Sequence, residues 1–116
     1  MPAKPTDLER IDHMLRSVDK IFRYTDQMNY EQFFRSDLVQ DAVIKNFEVI
    51  GEAAYQLSRS LKDKYNYVEW FKIQGLRHIL VHDYYRVNPE ILWNTREKDL
   101  ESLTEQLEDI LKKEQR

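Results

Sequence analysis

Apolar residues in this chain return at intervals of three and four, the spacing that keeps side chains on one face of an α-helix. Leu8, Ile11, Leu15, Val18, Phe22 and Thr25 form the first such stripe. Thr6 stands ahead of it as N-cap, and Asp7 and Glu9 bring negative charge to the first turn, where the helix dipole favours it. Residues 26–30 read as a connection, with Tyr30 to Phe34 as a short turn of helix. A second long helix starts at a cap on Ser36 or Asp37. Its stripe runs Val39, Val43, Phe47, Ile50, Ala53 or Ala54, Leu57 and Leu61. Gly51 lies inside it, where glycine costs about 1 kcal/mol relative to alanine. Such a residue marks the close approach of another helix.

Residues 62–69 read as a polar, Tyr-rich connection, followed by a third helix from about Val68 or Trp70 to about Tyr84. Asn88-Pro89-Glu90 then signals a new start, with Asn as N-cap and Pro at the first helical position. Leu100, Leu103, Leu107 and Ile110 stripe this last helix, which is expected to run to about Lys112. Four main helices joined by short links predict an all-α, up-down helical bundle. No repeat or linker divides the chain, so residues 1–116 read as a single domain.

Composition agrees with long helices carrying solvated faces: 34% of residues are charged, 41% hydrophobic, and only 2 are Gly and 3 Pro. The absence of Cys excludes disulfides and Cys-ligated zinc. The start of the chain has no apolar stretch behind it, so no leader is expected. No run approaches the roughly 18 apolar residues that a spanning helix needs. These features together predict a cytoplasmic protein without a membrane partner. Net charge is −3, which argues against a globally basic nucleic-acid binder. The charge is uneven, however. Residues 59–86 carry six basic side chains against three acidic ones, and the segments on either side are both acidic. A phosphate-bearing ligand would be drawn to that middle segment, although chance fluctuation would also give such an imbalance.

On a helical wheel starting from Arg77, the third helix places Ile73, Leu76, Ile79 and Leu80 on a core-facing arc. Gln74, His78 and His82 follow Arg77 at roughly 60°, 100° and 140°. Tyr84 falls beside Arg77, Tyr85 falls with the imidazoles, and Val81 is an apolar residue within the polar arc. An imidazole exchanges protons near neutral pH. A guanidinium grips a phosphate with two prongs and stabilises charge growing on it. That set suits attack of an RNA 2′-hydroxyl on its neighbouring phosphodiester, a reaction in which the RNA supplies its own nucleophile.

Other readings of the same arc stay open. His78 and His82 share a face and could ligate a metal. The metalloprotease pattern, however, needs Glu directly after the first His, where Ile79 stands, and no matching third ligand follows. No metal or other cofactor is therefore expected. The arc could be a solvated or dimer-contact face without chemistry. Arg77 could pair with Asp83 or another carboxylate as surface electrostatics.

Arg77, four intervening residues, then His82-Asp83-Tyr84 resembles the Arg–His-x-Tyr motif of HepT-like toxins in the HEPN superfamily. The surroundings strengthen the likeness. Phe47-Glu48-Val49-Ile50-Gly51-Glu52-Ala53-Ala54 looks like that family's second-helix segment. Trp70 and Gly75-Leu76-Arg77-His78 follow at the expected distance, and Val87 to Trp93 resembles the entry to its last helix. The match covers roughly residues 36–111.

The resemblance implies a HEPN-like bundle acting as a homodimer and an endoribonuclease on an RNA substrate. Arg77 and His82 would be catalytic and His78 would assist. It also implies an MntA-like nucleotidyltransferase antitoxin that silences the toxin by transferring AMP onto the motif tyrosine, Tyr84. Some relatives have been read as nucleotide-binding or inactive, so a non-catalytic nucleotide- or nucleotidyltransferase-binding subunit is the alternative. Asp83 stands where many relatives have Gly. It sets a carboxylate beside His82, where it would raise the imidazole pKa or weaken RNA binding. Tyr85 directly after Tyr84 offers a second phenol for modification.

Overall fold

The computed structural model describes residues 3–79 and 87–115. Among these residues the fold is all-α, with seven α-helices and one 3₁₀ turn. Helix α1 (Asp7–Tyr24) begins as the sequence predicts. Thr6 Oγ1 accepts from the Glu9 backbone N–H at 3.1 Å, and the Thr6 N–H donates back to the Glu9 carboxylate at 3.1 Å. The stripe is wider than predicted. Met14, Ser17 and Ile21 are buried beside Ile11 and Val18, while Leu15 and Phe22 sit at its half-buried border.

Helix α2 (Tyr30–Phe34) is a single capped turn that buries Phe33. Helix α3 (Asp37–Gln56) starts at the Ser36 cap and buries Val43, Phe47, Ile50, Ala53 and Ala54. It does not continue to Leu61. Leu57 is extended (ψ 146°), and Ser58 caps a separate helix, α4 (Arg59–Lys64). The Ser58 N–H and Oγ both donate to Asp7 at the start of α1, which fixes this mid-chain corner to the first helix. Leu57 and Leu61 are both buried, so the four-residue spacing spans a break without losing core contact.

The segment after α4 is less polar in place than its composition suggests. Tyr65 and Val68 are buried, and the Trp70 indole N–H donates to the Tyr65 carbonyl at 3.0 Å. The predicted third helix is also differently wound over its described residues. Helix α5 (Trp70–Gln74) passes into a 3₁₀ turn over Gly75–His78. Leu80 to Tyr84, the remainder of that predicted helix, lie outside the described residues.

The last predicted helix is two. Helix α6 (Pro89–Lys98) has the expected Asn88 cap and Pro start, and α7 (Leu100–Glu114) follows a break at Asp99. Leu92 and Leu100 are both buried, yet eight residues of continuous helix would leave them roughly 80° out of phase. The break lets both face the core. The resulting core joins α1, α3, α6 and α7, and α5 with the 3₁₀ turn packs against α3.

Candidate functional site

The site is organised by Gly51. A Cβ built there would overlap the Arg77 backbone nitrogen, and it would stand 2.8 Å from the Leu76 carbonyl carbon and 3.0 Å from the Arg77 Cα. The close approach predicted from the mid-helix glycine is therefore real, and what approaches is the backbone of the 3₁₀ turn. A backbone in that contact has few ways to shift, so α3 sets where the Arg77 side chain begins.

Helix α3 also sets where that side chain ends. The Arg77 guanidinium carbon lies 3.4 Å from the centroid of the Tyr55 ring, a cation–π stack. Its Nη1 is 3.9 Å from a carboxylate oxygen of Glu52, too far for a hydrogen bond, and that carboxylate is 56% exposed. Water screens such a pair strongly. Among the described residues the arginine is thus oriented chiefly by the ring. Of the carboxylates the sequence offered, Asp83 lies outside the described residues, and Glu52 is a weak neighbour.

Lys62 completes the support. Its Nζ donates to the Ala54 carbonyl at 3.2 Å, the Tyr55 carbonyl at 3.3 Å and Gln74 Oε1 at 2.8 Å. One ammonium thereby closes the end of α3, pins α4 to it, and holds the last residue of α5 just before the 3₁₀ turn. Partial burial lowers the Lys62 pKa. Asp7 opposes that shift and the nearby Arg77 charge adds to it.

The predicted site residues divide accordingly. Arg77 is half-buried and His78, next to it, is exposed. Successive residues of a 3₁₀ turn diverge by roughly 120° instead of 100°, so the two side chains spread further apart than the wheel placed them. Gln74 belongs to α5, and its amide oxygen is engaged by Lys62. Ile73, Leu76 and Ile79 pack against the core as expected. Leu76 also faces a separate groove lined by Tyr67, Lys72, Lys98 and Leu103, whose lining includes neither Arg77 nor His78. His82, Asp83, Tyr84 and Tyr85 lie outside the described residues.

The sequence reading missed Tyr55, Glu52 and Lys62. A signal for the first two was present. Tyr55 stands four residues after Gly51, on the face whose approach the glycine announces, and Glu52 follows the glycine directly.

The family model described as "Ribonuclease HepT-like" matches residues 14–110 of the chain. The chain belongs to the HepT-like ribonuclease family. Among its relatives, a "Putative RNase" of Caldanaerobacter subterraneus subsp. tengcongensis is 31% identical over 104 residues, covering 90% of this chain and 93% of that protein. The "Probable ribonuclease HepT" of Thermococcus cleftensis is 27% identical over 109 residues, 94% of this chain and 99% of that protein. A Methanocaldococcus jannaschii protein called "Gamma-glutamylcyclotransferase and putative RNase" is 35% identical over 101 residues. Those residues are 87% of this chain and 46% of that longer protein, so the chain spans about half the length of that relative. No solved structure matches the chain.

Among the described residues no helix is long and apolar enough to cross a membrane.

Proposed function

We propose that this HepT-like chain is the toxin of a type II toxin–antitoxin system, a metal-independent endoribonuclease acting in the cytoplasm as a homodimer. The observation that carries this reading is the Arg77 guanidinium, held at its backbone by Gly51 and at its head by Tyr55, with Glu52 a loose carboxylate neighbour among the described residues. A cation fixed in this way is suited to a phosphodiester. The positive balance of residues 59–86 supports the same ligand.

In the proposed reaction the RNA 2′-oxygen attacks the adjacent phosphorus. A base removes the 2′-hydroxyl proton, the bond from phosphorus to the 5′-oxygen breaks, and an acid returns a proton to that oxygen. The products are a 2′,3′-cyclic phosphate and a 5′-hydroxyl. Arg77 binds the scissile phosphate and stabilises its growing charge. His82 acts as base or acid and His78 assists by hydrogen bonding. An MntA-like nucleotidyltransferase partner silences the toxin by adenylylating Tyr84, which would tether a phosphate and added bulk within the RNA site.

Purified protein freed of its antitoxin is expected to cleave RNA in EDTA and leave cyclic phosphate ends, and His82→Ala should abolish this. Unchanged cleavage by His82→Ala would overturn the mechanism. Harmless expression, with Arg77→Ala altering only affinity for the partner, would instead mark a non-catalytic binding subunit. Light scattering tests the dimer: a monomer mass independent of concentration would remove it.

A further inference from the structure

Arg77 is the group on which the ribonuclease reading rests, and its side chain reaches the surface from a 3₁₀ turn, a poor anchor for a catalytic cation. A long flexible side chain on such a turn would sample many rotamers, and catalysis needs its donors aimed before the reaction begins. The aiming has to come from elsewhere, and Tyr55 supplies it. Tyr55 is 46% exposed, so it stands at the surface beside the proposed RNA site and is not a core residue reached by chance. The guanidinium carbon sits 3.4 Å above the ring centroid, at stacking distance. Stacking engages the flat face of the guanidinium and leaves the N–H groups at its edge directed outward, where they can meet phosphate oxygens. A salt bridge in the same place would consume those N–H groups. Glu52, at 3.9 Å, does not do so.

The ring is itself held in place. It lies on the last full turn of α3, one turn beyond Gly51, and the Tyr55 carbonyl accepts from Lys62, which also holds Gln74. The helix that fixes the Arg77 backbone therefore also fixes the platform for its head group. We infer that Tyr55 is the positioning residue of the site: its ring, through the stack, sets the plane of the Arg77 guanidinium for phosphate. This rests on the ribonuclease reading for its consequence in catalysis, while the stack itself can be tested without it.

Because the role belongs to the ring face, Tyr55→Phe should preserve it and Tyr55→Leu should remove it. The position is half-exposed, so both variants are expected to fold, and their melting temperatures check this. In wild type and in Tyr55→Phe, the Arg77 Nε–H resonance should be displaced upfield by the ring current, and in Tyr55→Leu it should return toward the ordinary arginine position. With an RNA oligonucleotide as substrate, Tyr55→Leu should lower kcat roughly tenfold with KM changed far less, the rate equivalent of losing one orienting stack. Tyr55→Phe should keep kcat within about twofold of wild type. Equal kcat and an unmoved Arg77 resonance in Tyr55→Leu would overturn the proposal, as would loss of kcat in Tyr55→Phe. If the wild-type protein cleaves no RNA, the ribonuclease reading fails. The resonance then decides the positioning claim alone, an upfield wild-type signal supporting it and an unshifted one overturning it.

Discussion

Gly51 and Arg77 share a space that holds no side-chain carbon: a Cβ on Gly51 would fall onto the Arg77 backbone nitrogen. The atoms it meets are backbone, which cannot swing aside as a side-chain tip would. Gly51→Ala should therefore destabilise the fold. Overpacking costs roughly 1–3 kcal/mol, and better helix propensity returns only about 1 kcal/mol. The variant should also lose activity beyond its loss of stability, because the forced movement displaces Arg77. Gly75 is the control. It has φ −61°, which any residue adopts, and among the described residues nothing lies within 4 Å of a Cβ placed there. Gly75→Ala should be neutral or stabilising by about 0.4–1 kcal/mol. Urea denaturation of the two variants checks both signs, and equal effects would contradict the packing account.

The Arg77 head group predicts a difference between two cations. Arg77→Lys keeps the charge and loses the planar stack on Tyr55 together with the two-pronged grip on phosphate. If the guanidinium stabilises the transition state as proposed, both Arg77→Lys and Arg77→Ala should reduce kcat by roughly 100-fold or more, the range for losing one preorganised donor. Stability should change by less than about 1 kcal/mol, because among the described residues its charged partner is a loose, screened carboxylate. Near-normal cleavage by Arg77→Lys would show that charge alone suffices.

What the sequence made legible, and what it hid, follows from the range of each interaction. The caps at Thr6, Ser36 and Asn88 are satisfied within three residues, so they could be read directly. Gly51 was legible because a glycine inside a helix needs a reason. The breaks at Leu57 and Asp99 were hidden because the apolar spacing continues across them, although Ser58 was available as a cap. The 3₁₀ winding of Gly75–His78 was hidden because a wheel assumes one period throughout. The Tyr55–Arg77 stack joins residues on different elements, so Gly51 could mark the face of α3 that bears Tyr55 but not the partner that meets it.

The far end of α7 predicts the response of stability to acid. Glu114 accepts from Lys64 Nζ at 2.7 Å and from the Tyr65 hydroxyl, and these bonds, the lysine first, hold its pKa below the usual carboxylate range. The Lys113 hydrogen bond does the same for Asp109, and the Thr6 backbone for Glu9. A carboxyl with a depressed folded-state pKa contributes stability that is present above its unfolded pKa and lost as pH falls through the folded value. Stability should thus decline from about pH 4 downward, a window set by the ordinary carboxylate range and the downward shifts. Glu114→Gln combined with Asp109→Asn should flatten that decline, with the two proteins converging at the acid end. Parallel decline in both would place the acid response elsewhere. At the alkaline end, raised pKa values at Tyr65, Lys64 and Lys113 predict a second loss as pH rises through their folded values.

The proposed silencing of the toxin makes a covalent prediction. Coexpression with an MntA-like nucleotidyltransferase should add one or more AMP units to the intact mass, and Tyr84→Phe should abolish the gain. Tyr85 is the internal competitor, a phenol one position further along. Peptide mapping separates the two, and a gain that survives Tyr84→Phe and maps to Tyr85 would reassign the switch. The loose Arg77–Glu52 pair gives the modification a second readout. If an AMP phosphate tethered nearby occupies the guanidinium, the modified protein should lose RNA binding with an Arg77 signal already moved as phosphate would move it. Modification that blocks cleavage while leaving Arg77 unperturbed would mean that the adenylyl group excludes RNA by bulk alone.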